Sequence, residues 1–218
     1  MPRVIVDDQP VEVTPGSNLL AALRKLRIDV PALCYYPGAP PNTACMACIV
    51  RLKPSGRIVP SCATPAEEGM EIESETDAIR TIRRTALELL LSDHGDAEQP
   101  GYPDCACAER DTCRLRKYAQ LYEADPARYR GASRTVARTY EHPEITYDPR
   151  QCILCGICIQ VAQQAGEPLG LTLIGRGFDV RVDVPFDRPL HEALKSAALR
   201  CAGACPTNAL TRRESSSE

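Results

Sequence analysis

The chain has 218 residues, twelve cysteines and a net charge of −3, enough length for one or two domains with real cores and no basic excess pointing to nucleic acid or an anionic membrane. Its apolar runs, such as residues 89–91, are too short for a bilayer span, and the opening MPRVIVDD lacks the apolar stretch of a secretory signal, so a cytoplasmic chain with no membrane span is expected. Without a route to an oxidising compartment, the C-x2-C and C-x2-C-x2-C spacings read as thiolates gathered round metal rather than as disulfides.

The cysteines fall into three groups, and the chain divides with them. A first module spans 1–75. Residues 4–6 and 11–13 are β-branched runs either side of a polar turn, which predicts a hairpin. Ser17 is placed to cap a helix carrying Leu19, Leu20, Leu23 and Leu26 on one face. Residues 49–52 and 57–60 flank a Pro-Ser-Gly turn and read as strands. Strands around one helix make a small α+β unit, with Cys34, Cys45, Cys48 and Cys62 in its loops.

A second module spans 76–146. Ile79, Ile82, Ala86, Leu89 and Leu90 recur at helical spacing after Thr76 and Asp77, and the helix is expected to stop near residues 92–95. A loop rich in Gly, Pro and Asp follows, with His94 before it and Cys105, Cys107 and Cys113 in it. Residues 114–122 read as another helix. The basic stretch 110–138 reads as a solvated surface rather than a docking face.

The third module spans 147–211 and holds Cys152, Cys155, Cys158, Cys201 and Cys205. Residues 180–184 alternate like a strand, and 190–199 read as one helix. Residues 212–218 read as a disordered tail. His142 and His191 stand apart from the cysteines and read as structural or surface residues. No Ser/His/Asp pattern and no G-x-G-x-x-G after a strand suggest a catalytic, NAD or flavin site in the chain itself.

The first group has the spacing C-x10-C-x2-C-x13-C. Plant-type [2Fe–2S] ferredoxins use C-x4-C-x2-C with a distant fourth cysteine, and the logic here is the same with a longer first gap. A structural zinc would also accept four thiolates. In the third group, QCILCGICIQ opens like a bacterial ferredoxin motif, but Ala162 stands where its fourth cysteine belongs. The second such motif keeps Cys205 before Pro206, while Lys195 and Ala198 replace two of its other cysteines. A Cys-Pro cysteine ligates the cluster of the opposite motif, so Cys152, Cys155, Cys158 and Cys205 are expected to share one [4Fe–4S] cluster. Cys201 is then a buried thiol or a competing fourth ligand.

These segments resemble a known family. PALCYYPG, CMACIV and PSCATP are similar to the N-terminal [2Fe–2S] domain of the large iron–sulfur subunit of respiratory complex I. The same region occurs in diaphorase iron–sulfur subunits of NAD-reducing hydrogenases and in NAD-linked formate dehydrogenases. GEPLGLTLIGRGFDV and the Cys-Pro arrangement extend the likeness to about residues 3–211. The resemblance implies an α+β chain: an N-terminal β-grasp ferredoxin domain, a helical His/Cys-cluster module and a C-terminal ferredoxin-like [4Fe–4S] module.

The family pattern for the middle cluster is H-x3-C-x2-C-x5-C. Here LELLLSDH and the C-x5-C from Cys107 to Cys113 match, but His94 and Cys105 lie ten residues apart, and Cys105 and Cys107 form C-x-C. The resemblance implies a second [4Fe–4S] cluster on His94, Cys105, Cys107 and Cys113, with Asp104 the substitute ligand. The competing readings are a cationic His94 capping its helix C-terminus, and a remnant or zinc set of cysteines. Where the family often has a basic residue before its third cysteine, this chain has Ile157.

Larger family members continue into a molybdopterin-enzyme-like domain, for which this sequence has no room. The expectation is therefore a non-catalytic electron-relay subunit of a soluble NAD(P)-linked complex. It would pass electrons between a flavoprotein subunit and a catalytic subunit such as a hydrogenase or formate dehydrogenase. A free-standing multi-cluster ferredoxin and a zinc-stabilised scaffold are the alternatives.

Overall fold

The computed structural model describes residues 1–94, 112–129, 131 and 140–213. In β1 (Arg3–Val6), Val4 and Val6 point inward, and the strand pairs antiparallel with β2 (Gln9–Glu12). Asp7 and Asp8 both take positive φ (47° and 65°), the turn conformation whose twist matches that of a hairpin.

Helix α1 (Leu19–Lys25) buries Leu19, Leu20, Ala22 and Leu23. Its cap is Asn18, not the expected Ser17: Asn18 Oδ1 accepts from the Ala21 amide at 3.1 Å. The same side chain donates from Nδ2 to the Cys62 carbonyl at 2.7 Å, so one residue starts the helix and pins a cysteine peptide.

Strands β3 (Ile49–Leu52), β4 (Ile58–Pro60) and β5 (Glu71–Glu73) complete a five-stranded sheet in the order β2-β1-β5-β3-β4. Only the β1–β5 pairing in this sheet is parallel. This mixed sheet around one helix is the expected β-grasp arrangement.

Helix α2 (Asp77–Leu91) begins at Thr76, whose hydroxyl accepts from the Ile79 amide at 3.2 Å. Its buried face is not the expected one. Ile79, Arg83, Leu87, Glu88 and Leu91 face inward, while Ile82 and Leu89 are exposed. The true stripe runs at i, i+4 through Arg83, a position that apolar periodicity discards. Arg83 is tolerated there because every arm of its guanidinium is hydrogen-bonded.

Helix α3 (Arg114–Leu121) lies against α2 and the first domain. Arg114 Nη2 donates to the Ala32 carbonyl at 2.8 Å, Tyr118 Oη donates to Asp29 at 2.7 Å, and Lys117 pairs with Asp29. Arg128 Nε lies 3.6 Å from the buried Glu88 carboxylate. Arg114 reaches inward here, while Lys117 and Arg128 stay exposed, as the solvated-surface reading expects.

Beyond it, β6 (Ile145–Tyr147) pairs antiparallel with β9 (Leu210–Arg212), and β7 (Thr172–Ile174) with β8 (Arg181–Asp183). Helix α4 (Ile157–Gln164) packs on α6 (Ala198–Ala204). The single helix expected over 190–199 is two: α5 (Leu190–Ala193) ends at Leu194 (φ −123°, ψ 86°), and α6 begins four residues later. The break is stabilised from outside, since Glu167 Oε1 accepts the amides of Ser196 and Ala197 at 2.6 and 2.7 Å.

Two apolar cores result. One fills the sheet–α1 interface. The other is continuous from Leu33, Cys34, Cys45 and Ala47 through α2 and α3 to Ile157, Val161 and Leu210.

The orientation of α2 is testable with two leucines. Leu87→Ala should cost about 2–5 kcal/mol, whereas Leu89→Ala should stay within about 0.5 kcal/mol of the parent. Urea unfolding checks this; equal losses would contradict the orientation.

Candidate metal centres

The first group is buried as a set. Thr43 and Met46, on either side of Ala44 and Cys45, take positive φ (52° and 47°). Cys34 Sγ donates to Cys45 Sγ at 3.3 Å. That bond, more than the amides of Ala47, Cys34 and Leu33, holds the Cys45 thiol down to about 6 against the penalty of burial. A bond from the Cys62 thiol likewise holds Cys48 down to about 7, with smaller help from the Cys62 amide and Ser61. Cys34 and Cys62, which give those protons, are pushed up by their partners and by burial. Four buried sulfurs, two of them with thiols drawn down by sulfur and amide donors, make a donor set suited to iron.

In the third group, Cys152, Cys155, Cys158 and Cys205 line one cavity, walled by Tyr147, Ile157 and Val182. Burial pushes the Cys155 and Cys158 thiols up, and the other cysteines add to it. Bare thiolates are therefore costly at Cys155 and Cys158, and a cation-rich cluster would offset that cost. Cys201 is not among the lining residues. It lies in α6, where its thiol contacts the Cys158 carbonyl at 3.5 Å and is pushed up to about 12 by burial and then by Glu167.

Of the middle group, Cys105, Cys107 and Asp104 lie outside the described residues. His94 follows α2, and its amide donates to the Leu91 carbonyl at 3.2 Å. Burial pushes its ring down to about 4, opposed by a hydrogen bond with the Gln151 backbone and by the field of Asp148. Burial that disfavours the charged ring weighs against a cationic helix cap, and a neutral imidazole is the metal-binding form. Cys113 is buried, its thiol raised by desolvation first and also by Cys205. The amide of Arg114 donates to the Pro206 carbonyl at 2.8 Å, and Asn208 Nδ2 to Thr112 Oγ1 at 2.8 Å. His94 and Cys113 therefore both stand beside the third group, one near residues 148–151 and the other near 205–208. Among the described residues, no three His, Cys, Asp or Glu side chains converge on a single bare metal ion.

The first and third groups meet at a hydrogen-bonded junction. Asn42 Nδ2 donates to the Cys155 carbonyl at 2.7 Å, and Gln160 Nε2 donates to Asn42 Oδ1 at 3.1 Å and to the Pro40 carbonyl at 2.6 Å. Gln164 Nε2 donates to the Gly38 carbonyl at 2.9 Å. The loop that makes the first cysteine gap ten residues long is thus the piece that docks on α4. Gly156 is required there: its φ is +74°, and a Cβ would stand 2.8 Å from Asn42 Nδ2. His142 is structural as expected, with Nε2 on the Leu194 carbonyl at 2.7 Å and Nδ1 accepting from the Glu144 amide. His191 lies exposed on α5.

Residues 3–77 match the family described as a 2Fe-2S iron-sulfur cluster binding domain. Over 220 residues the chain is 30% identical to the NADP-reducing hydrogenase subunit HndD of Solidesulfovibrio fructosivorans, covering 98% of this chain and 36% of that protein. Over 214 residues it is 28% identical to the NADH-ubiquinone oxidoreductase 75 kDa subunit of Reclinomonas americana, covering 98% of this chain and 30% of that one. A crystal structure of NAD+-reducing [NiFe]-hydrogenase in the H2-reduced state superposes with a TM-score of 0.84 at 27% identity, covering 98% of this chain and 88% of that chain.

The chain is a homologue of the iron–sulfur region these subunits share. It spans only 36% and 30% of the length of the two curated relatives. Within this homologue, sequence reasoning missed Asn42, Arg83 and Asn18. Asn42 carried a faint signal, since the lengthened cysteine gap had to hold something; Arg83 and Asn18 carried none.

The junction can be tested at Gly156. Gly156→Ala should cost about 1–2 kcal/mol for the left-handed backbone alone, and more while Asn42 is in the way. Adding Asn42→Ala should recover the steric part only. Thermal unfolding of both variants checks this, and a wild-type midpoint for Gly156→Ala would contradict the junction.

Proposed function

We propose that this chain is an electron-relay component of an NAD(P)-linked oxidoreductase, passing electrons between a flavoprotein subunit and a catalytic subunit such as a hydrogenase or formate dehydrogenase. The observation that carries it is the junction: two four-cysteine sets share one hydrogen-bonded seam, and Cys155 feels the charge of Cys45. The names of the similar proteins, hydrogenase and NADH-ubiquinone oxidoreductase subunits, support the same reading. Among the described residues, no helix is long and apolar enough to cross a membrane.

In this reading Cys34, Cys45, Cys48 and Cys62 hold a [2Fe–2S] cluster. Cys152, Cys155, Cys158 and Cys205 hold a [4Fe–4S] cluster, and His94, Cys105, Cys107 and Cys113 hold a second. The modules 1–75, 76–146 and 147–211 each carry one set, and the third is ferredoxin-like in build. When bound, the clusters supply reversible one-electron storage. The chain's own part is to exclude water, direct amides at sulfur and keep the sets at short, fixed separations. Cys201 is a buried thiol that supports the Cys158 peptide and ligates nothing.

Iron and acid-labile sulfide on the anaerobically purified chain test the ligand sets. About ten irons are expected for all three clusters and about six if the middle one is absent. Cys205→Ser should lose about four irons, and Cys201→Ser none. Iron loss from Cys201→Ser with none from Cys205→Ser would overturn the assignment. A tagged chain in its native cell should co-purify with a flavoprotein that oxidises or reduces NAD(P). Recovery of an iron-loaded chain as a lone monomer would favour a free-standing ferredoxin, and a colourless zinc protein would end the relay reading.

A further inference from the structure

Arg83 is the largest fully buried side chain among the described residues, and it lies outside every cysteine set. It has no exposed surface, so its charge is held entirely by what surrounds it. Nε donates to the Ala47 carbonyl at 3.1 Å and Nη2 to the Ile49 carbonyl at 2.7 Å. Nη1 donates to Glu75 Oε2 and to Tyr122 Oη, both at 2.7 Å.

The two carbonyls are those immediately before and after Cys48. In extended backbone the carbonyls of residues i and i+2 point the same way, so a planar fork can take both. The Cys48 carbonyl between them points the other way and accepts the Ser61 amide at 3.0 Å and the Ser61 hydroxyl at 2.6 Å. All three peptides around this cysteine are thereby fixed. A permanent cation rests on the far side of the peptides that present one of the four first-group sulfurs.

Burying a cation costs several kcal/mol unless it is paired, and the helix could have kept a leucine on this stripe. The pairing is also uneven. Glu75, the one carboxylate on Arg83, is 42% exposed, so water screens the anion while the cation stays dry. The less screened charge of the pair is thus the cation, hydrogen-bonded to the carbonyls that flank Cys48, where reduction of a bound cluster would add negative charge.

We propose that Arg83 is a positioning residue for the first group, clamping the Cys48 ligand peptide and raising the reduction potential of the [2Fe–2S] centre held there. This rests on the [2Fe–2S] reading of Cys34, Cys45, Cys48 and Cys62. The charge favours the reduced state, and the clamp holds the Cys48 sulfur and its amides in one geometry. Glu75 opposes the charge effect, weakly because it is exposed. Tyr122 closes the site from α3 and keeps water from the guanidinium.

The test is a redox titration of the full chain followed by EPR, with iron and sulfide measured on each sample. Arg83→Gln should assemble the cluster and shift its midpoint to more negative potential. Arg83→Lys, which keeps the charge and loses the fork, should fall between Arg83→Gln and wild type. Glu75→Gln should shift the midpoint the opposite way, to more positive potential. A fully loaded Arg83→Gln with the wild-type midpoint and g values overturns the proposal. If Arg83→Gln does not load, Glu75→Gln decides: a positive shift supports the proposal, and no shift or a negative one overturns it. Absence of a reduced [2Fe–2S] signal in the wild type would instead overturn the cluster reading itself.

Discussion

Two sulfur sets are packed closely enough for charge on one to be felt by the other. Cys155 and Cys45 come from different parts of the chain, yet charge on Cys45 makes the Cys155 thiolate harder to form. Repulsion of that kind is strong at low dielectric and falls off slowly, so the fold must oppose it with short, directional contacts. The docking of the 38–42 loop on α4 is that opposing contact. Asn42, Gln160 and Gln164 satisfy backbone carbonyls across the seam, and none of them brings a charge of its own. A salt bridge there would have placed a fixed charge beside both sulfur sets. Amides give comparable grip and leave the local field to the sulfurs and to whatever they bind.

The grouping of the first and third cysteine sets, the hairpin, the capped start of α2 and the extent of α3 were legible in the sequence, because each rests on local rules. A C-x2-C pair, a Thr before a helix or a β-branched run carries its meaning within a few residues. The face of α2 was not legible for the opposite reason. Arg83 is inside only because Ala47, Ile49, Glu75 and Tyr122 converge on it from three other stretches of chain. Read one residue at a time, an arginine on an apolar stripe rotates the inferred face toward Ile82 and Leu89. The same holds for the split between α5 and α6, where Glu167 supplies the cap from thirty residues away.

The cores follow a different division from the cysteine groups. Cys48 and Cys62 belong to the sheet–α1 core, while Cys34 and Cys45 belong to the core that runs on through α3 and α4. The first sulfur set therefore straddles the boundary between two packed bodies. Movement of one body against the other would pull Cys34 and Cys45 away from Cys48 and Cys62. The contacts that stop it are the Asn42 seam on one side and α3 on the other, where Arg114, Lys117 and Tyr118 grip Ala32 and Asp29. Interfaces inside one chain are often mobile, but this one passes through a ligand set and so has to be rigid.

Order in space is then not order in sequence. The first group touches the third across Asn42. His94 leans on the segment just before Cys152, and Cys113 senses Cys205 and is tied to Pro206 through the next residue. The two described members of the middle group thus stand beside the third group from opposite ends of its ligand run. Loop closure over the intervening residues costs little, since its entropy grows only with the logarithm of length. An added stretch between His94 and Cys105 can therefore be accommodated without moving either end. The sequence places the middle group between the other two, whereas its two described members pack beside the third group, and Arg114, next to Cys113, also reaches Ala32 near the first.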